Sequence, residues 1–171
     1  MACELELKAS CLTLRYRRAQ RRFDVDFDRS KSLLQLKREK FRDFSWDFER
    51  FPSGYSLRYR PLTQLSDEHL WILIRQAIGL DYLVVLALER LEKDALLRAH
   101  RSEGDLLSAV LCADALVWKR NPHYRARVTR LWSKVSVRLL AKQTPEVRAL
   151  FSDYRWFLKT ENFLPPDQDP V

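Results

Sequence analysis

The stretch that decides the fold runs from Pro61 to Leu97, PLTQLSDEHLWILIRQAIGLDYLVVLALERLEKDALL. Ser66 followed by Asp67 and Glu68 has the form of a helix start. A hydroxyl can accept from a free backbone N–H, and two carboxylates then sit at the positive end of the helix dipole. Leu70, Leu73, Ile74 and Ala77 recur at helical spacing and form one apolar stripe. Gly79 is expected to stop this helix in a left-handed cap, and Asp81 to cap the next one. From Tyr82 to Leu88 apolar side chains cover nearly every side, the mark of a central, buried helix.

Downstream the same period persists. Asp105 after Gly104 opens a third helix, as its cap, with Leu107, Val110 and Leu111 inward. Asn121-Pro122 opens a fourth, proline suiting the first turn, and Tyr124, Val128, Leu131, Val135 and Leu139 run down one face. Pro145 starts a fifth, with Val147, Leu150, Phe151, Tyr154 and Leu158 in register. Short links between one-sided helices predict a mainly α protein, an antiparallel helical bundle or two-layer helical stack.

Upstream of Pro61 the period changes to two. Leu5, Leu7 and Ala9, then Leu12, Leu14 and Tyr16, then Phe23, Val25 and Phe27 alternate with polar residues. A small β-hairpin or three-strand meander is expected there, with Arg17–Arg22 as a polar loop. The division read from the sequence is a basic N-terminal part over residues 1–60, a helical domain over 61–160 and a short solvated tail over 161–171.

The formal charge of +8 is concentrated in the first of these. Residues 1–60 carry 15 Lys and Arg against 9 Asp and Glu, whereas the remainder carries 16 against 14. Such an excess favours an acidic partner, whether nucleic acid, protein face or membrane surface. No apolar run approaches the ~18 residues that span a bilayer. No secretory signal precedes the first helix, so a cytoplasmic protein is expected. Cys3, Cys11 and Cys112, with His69, His100 and His123, show no metal-ligand spacing and fit reduced, buried thiols. Neither a metal nor a cofactor is expected.

Signatures of catalysis are sparse. The chain has no phosphate-binding glycine loop, no His-Glu-x-x-His pair and no glycine-flanked nucleophile. Asp24, Asp26 and Asp28 alternate as a strand face does, without the glycine and terminal glutamate of a calcium loop. A binding protein is expected rather than an enzyme. Two basic features could carry binding: the Arg15–Arg22 segment, and a stripe of Arg127, Arg130, Lys134 and Arg138 at spacings of three, four and four.

The ordered residues Leu65, Ser66, Leu70, Ile74, Gln76, Ile78, Gly79, Leu80, Tyr82, Leu83, Leu86, Ala87, Leu88 and Glu89 resemble the immunity proteins of contact-dependent growth inhibition. Gly104, Asp105, Leu106, Leu107, Val110, Leu111 and Trp118 continue the resemblance. It implies a helical cytoplasmic protein that binds and blocks the cognate C-terminal toxin domain of a contact-delivered protein. Where that family carries an acidic-aromatic segment, this chain has Arg98-Ala99-His100-Arg101-Ser102-Glu103-Gly104-Asp105. The expected toxin contacts are therefore Asp67, Glu68, His100, Arg101, Glu103 and Asp105. The alternatives are a small nucleic-acid-binding protein using the basic segments, and an assembly subunit with Trp46, Trp132 and Trp156 at an interface.

Overall fold

The computed structural model describes residues 27–37, 54–142 and 144–160. The expected hairpin, the Arg15–Arg22 segment, Trp46 and the 161–171 tail lie outside these residues. Among the described residues the protein is mainly α, with a single isolated antiparallel bridge between Ser32 and Pro61 and no strand.

The helices are α1 (Leu33–Leu36), α2 (Gly54–Leu57), α3 (Asp67–Arg75), α4 (Leu80–Lys93), α5 (Asp105–Leu111), α6 (Ala115–Arg120), α7 (Pro122–Leu140) and α8 (Pro145–Lys159). A 3-10 turn, Leu62–Gln64, precedes α3. The five helices read from the sequence are α3, α4, α5, α7 and α8. The short α6 was not expected. It forms because the Asp114 carboxylate accepts from Leu116 N at 2.8 Å, restarting a helix after α5 ends.

α4 is the axle. Leu80, Leu91 and every residue from Leu83 to Leu88 are buried, and α3, α5 and α7 pack around it. Each such aliphatic side chain withdrawn from water contributes roughly 1.5–3 kcal/mol, so α4 anchors the helical stack. α3 also packs on α5, α5 on α8, and α6 on α7. An aromatic seam joins α7 to α8: the Trp132 ring stacks on Tyr154 at 4.2 Å and meets Phe151 edge-on at 5.0 Å. Arg125 closes that seam, lying 4.5 Å over the Phe157 ring and donating to the Phe157 and Leu158 carbonyls at the end of α8.

Four local expectations are corrected. α3 ends two residues before Ala77, which is exposed and leaves the apolar stripe. The left-handed cap falls on Ala77 itself (φ 55°): Ala77 N donates to Ile74 O and Ile78 N to Leu73 O, a complete Schellman pair. Gly79, also left-handed, is instead the N-cap of α4, with Asp81 in its first turn. In the last turn of α8 it is Phe157 that is buried, with Val147 and Leu150 before it, and Leu158 is exposed.

The segment of residues 27–37 is bonded to the helical body. Leu62 N donates to Lys31 O and Thr63 N to Arg29 O, both at 3.1 Å, and the Arg29 guanidinium pairs with Glu89 on α4. Leu33 is buried against Gly79.

Candidate functional site

The loop between α4 and α5 has little regular structure, so its polar backbone must be satisfied otherwise. Asp105 does this. Its Oδ1 accepts from Ala99 N at 2.7 Å, and its Oδ2 accepts from His100, Arg101 and Ser102 N at 2.8–3.1 Å. Burial works against the ionised carboxyl, but the four N–H donors outweigh it and hold Asp105 below its ordinary value. The helix cap expected of Asp105 is made by Gly104, left-handed at φ 81°; the Asp105 side chain faces back into the loop. A Cβ on Gly104 would stand 2.8 Å from Leu150 of α8, so the loop sits tightly on that helix.

This loop meets the first turns of α3. His100 stacks on Trp71 with ring centroids 4.5 Å apart and 17° between planes. His100 Nδ1 lies 2.8 Å from Glu68 Oε1, and Arg101 Nε donates to His100 Nε2 at 3.1 Å. An Nδ1–H tautomer satisfies both contacts. Asp67 pairs with Arg90, whose other nitrogen donates to Leu65 O at 2.5 Å. Glu103 accepts from Lys142 Nζ at 2.5 Å, tying the loop to the end of α7.

Structure thus brings all six expected contact residues into one neighbourhood, and shows what each already holds. Asp105 supports the loop from within. Asp67, Glu68, Glu103, His100 and Arg101 all hold ion pairs or hydrogen bonds within the molecule, and all but the half-buried Asp67 are exposed. The sequence reading missed Trp71, although its place three residues after Glu68 puts it on the same helix face.

The basic stripe is rearranged more deeply. Arg127 is only 5% exposed and forms a bidentate pair with Glu92 on α4, Nε to Oε1 at 2.7 Å and Nη2 to Oε2 at 3.0 Å. It therefore leaves the outer stripe, on which Arg130, Lys134 and Arg138 remain exposed. Of the tryptophans expected at an interface, Trp132 is buried in the α7–α8 seam and Trp156 is exposed.

Among the described residues no three His, Cys, Asp or Glu side chains stand together as metal ligands. No described helix is long and apolar enough to cross a membrane. The model of one family, the CDI (contact-dependent growth inhibition) immunity proteins, matches residues 35–128.

The chain belongs to the CDI immunity proteins. Comparison with curated proteins and with solved structures finds no match. The family match takes in α3 to α6, the 98–105 loop and the first part of α7. The Asp105-held loop, the Trp71–His100 stack and the Arg127–Glu92 pair are accordingly all parts of the immunity-protein region. The rest of α7 and all of α8 fall outside it.

Proposed function

We propose that the chain neutralises a cognate toxin domain by binding it and occluding its working surface, without turnover of its own. The family match over residues 35–128 carries this reading. The loop geometry supports the mode of action. A surface whose backbone is pinned by four hydrogen bonds to Asp105 loses little conformational freedom on binding, which is how a small contact area reaches high affinity. Trp71 and Arg101 are the residue types that anchor protein interfaces.

The proposed contact platform is the first turns of α3 with the 98–105 loop: Glu68, His100, Arg101 and Glu103 exposed, the half-buried Trp71 stacked on His100, and Asp67 and Asp105 supporting them. The test is co-purification with the toxin domain encoded immediately upstream, together with growth of toxin-expressing cells. A stable complex and restored growth are expected; a toxin that neither binds nor is silenced removes the reading. Glu68→Lys with Arg101→Glu should then weaken the complex about tenfold or more. Unchanged affinity in that variant would remove the platform and leave neutralisation standing.

A further inference from the structure

Hydrogen bonding on the platform is uneven between its two signs of charge. Each carboxylate is engaged. Asp67 pairs with Arg90, Glu68 holds His100 Nδ1 at 2.8 Å, Glu103 takes Lys142 Nζ at 2.5 Å, and Asp105 accepts from the backbone of the loop. The arginines of the loop are not so engaged. Arg98 is exposed, and its side chain has no hydrogen bond or ion pair among the described residues. Arg101, also exposed, donates from Nε to His100 Nε2 and uses neither terminal nitrogen on any described residue.

Arg101 is held at both ends. Its backbone N donates to Asp105 Oδ2 at 2.8 Å, and its Nε to His100 Nε2 at 3.1 Å. The imidazole is itself fixed, lying flat on Trp71 and bonded to Glu68. A guanidinium binds a carboxylate by one of two edges, either Nε with one terminal nitrogen or the two terminal nitrogens together. His100 takes the first edge and leaves the second. An arginine set in this way has given up much of its rotamer freedom before a partner arrives.

We propose that Arg101 and Arg98 receive carboxylates of the cognate toxin domain, Arg101 in a bidentate pair through its two terminal nitrogens, with His100 as the positioning residue. This rests on the neutralisation reading above and names the chemistry of the partner surface, an acidic one. The net charge of +8 on the whole chain favours the same kind of partner. A nucleic acid fits less well. Glu68, on the same imidazole as Arg101, and Glu103, two residues along the loop, keep side chains 52% and 46% exposed. A run of phosphates would be pressed against both, whereas single carboxylates can meet the arginines alone.

The experiment uses the purified full chain and the upstream-encoded toxin domain, with circular dichroism and thermal melting as folding controls. Arg101→Gln should lower affinity about tenfold or more and Arg98→Gln about threefold. Together they should flatten the salt dependence of the association rate. Arg101→Lys keeps the charge without the planar fork and should still lower affinity about fivefold. His100→Phe keeps a flat ring for Trp71 and removes the acceptor. It should weaken binding severalfold in the wild-type chain and add nothing in the Arg101→Gln background. Equal losses in both backgrounds would overturn the positioning role. Reversal of one toxin Asp or Glu to Lys should abolish wild-type binding and restore binding of Arg101→Glu. If Arg98→Gln/Arg101→Gln binds as wild type does, the acidic contact is overturned and neutralisation stands. Undiminished affinity of Arg101→Lys overturns the bidentate pair. If wild type forms no complex, both readings fall. If the double variant loses salt-sensitive binding to generic RNA or duplex DNA and keeps its toxin affinity, the arginines serve a nucleic acid and the proposal is overturned.

Discussion

The Leu33 side chain occupies the space that a side chain on Gly79 would need: a Cβ there would stand 2.7 Å from Leu33 Cδ2. Gly79 is also left-handed, at φ 64°. Gly79→Ala therefore meets two penalties, backbone strain and displacement of Leu33. Together they should cost about 2–4 kcal/mol in thermal or urea unfolding. A cost below about 1 kcal/mol would mean that α1 does not rest on the α3–α4 junction in solution.

Two residues earlier the situation is reversed. Ala77 holds a left-handed conformation in the Schellman cap of α3 and is exposed, so glycine would relieve the strain without opening a cavity. Ala77→Gly should stabilise the protein by about 1 kcal/mol, less a few tenths for the greater freedom of the unfolded chain. A lower melting temperature in this variant would contradict the cap geometry.

Asp105 should behave as the support of the 98–105 loop. Asp105→Ala frees four backbone N–H groups and is expected to cost about 1–2 kcal/mol, the bonds being partly open to water. Hydrogen exchange should report faster opening at Ala99–Ser102. The folded protein holds the carboxyl below its ordinary value, so the unfolded chain binds its proton first on acidification. Its contribution is therefore complete above about pH 5 and fades as the pH falls through the folded-state value. Asp105→Asn should flatten that part of the acid-unfolding curve.

His69 gives a second pH dependence, at milder acidity. Ser66 N donates to His69 Nδ1 at 3.2 Å, and His69 N donates to Ser66 Oγ at 3.2 Å, a capping box with histidine in the usual place of glutamate. A protonated imidazole cannot accept that bond. Burial, helped by Arg60 and opposed by Glu68, lowers the His69 value from 6.5. The stability this cap contributes is full above the unfolded value and is lost as pH falls through the lowered folded one. His69→Glu should keep the cap and remove the loss that sets in as the pH falls below the ordinary histidine value of 6.5. An unaltered pH profile would show that His69 does not titrate with folding.

Cys112 should be a sluggish thiol in spite of its exposure. The residue is exposed, yet desolvation of the sulfur, with Asp153 beside it, pushes it up to about 11. Little thiolate is present near neutrality, so alkylation by iodoacetamide at pH 8 should run at least tenfold slower than for a free cysteine. Asp153→Asn removes the repulsive charge and should speed the reaction severalfold. Equal rates would show that Asp153 does not govern the thiol.

Local patterns wrote the helices into the sequence. A period of 3.6 places Tyr124, Val128, Leu131, Val135 and Leu139 on one side of α7 whatever lies opposite, and all five are buried. The Ser66 cap and the proline starts at Pro122 and Pro145 are equally local, because they depend on bonds and torsions within one turn. The unbroken apolar surface of α4 likewise announced its central position. Sequence also carried the family, through an ordered run of such features from α3 to α6.

Tertiary structure decided what the polar residues do, because a charged side chain is assigned by whichever partner reaches it across space. Arg127 has the same helical spacing as Arg130, Lys134 and Arg138, yet it borders Val128 and Leu131 and so falls within reach of Glu92, 35 residues away. Nothing local could say that Asp105 would turn from its own helix to the preceding loop. Nor could it show that His100 would lie on Trp71, or that Lys142 would join the end of α7 to Glu103. Even the left-handed end of α3 fell on Ala77, while Gly79, with Leu33 packed where its side chain would stand, became the N-cap of α4. The sequence by itself determined the five principal helices and the family; the packing between helices determined the short ones and which charges are held inside.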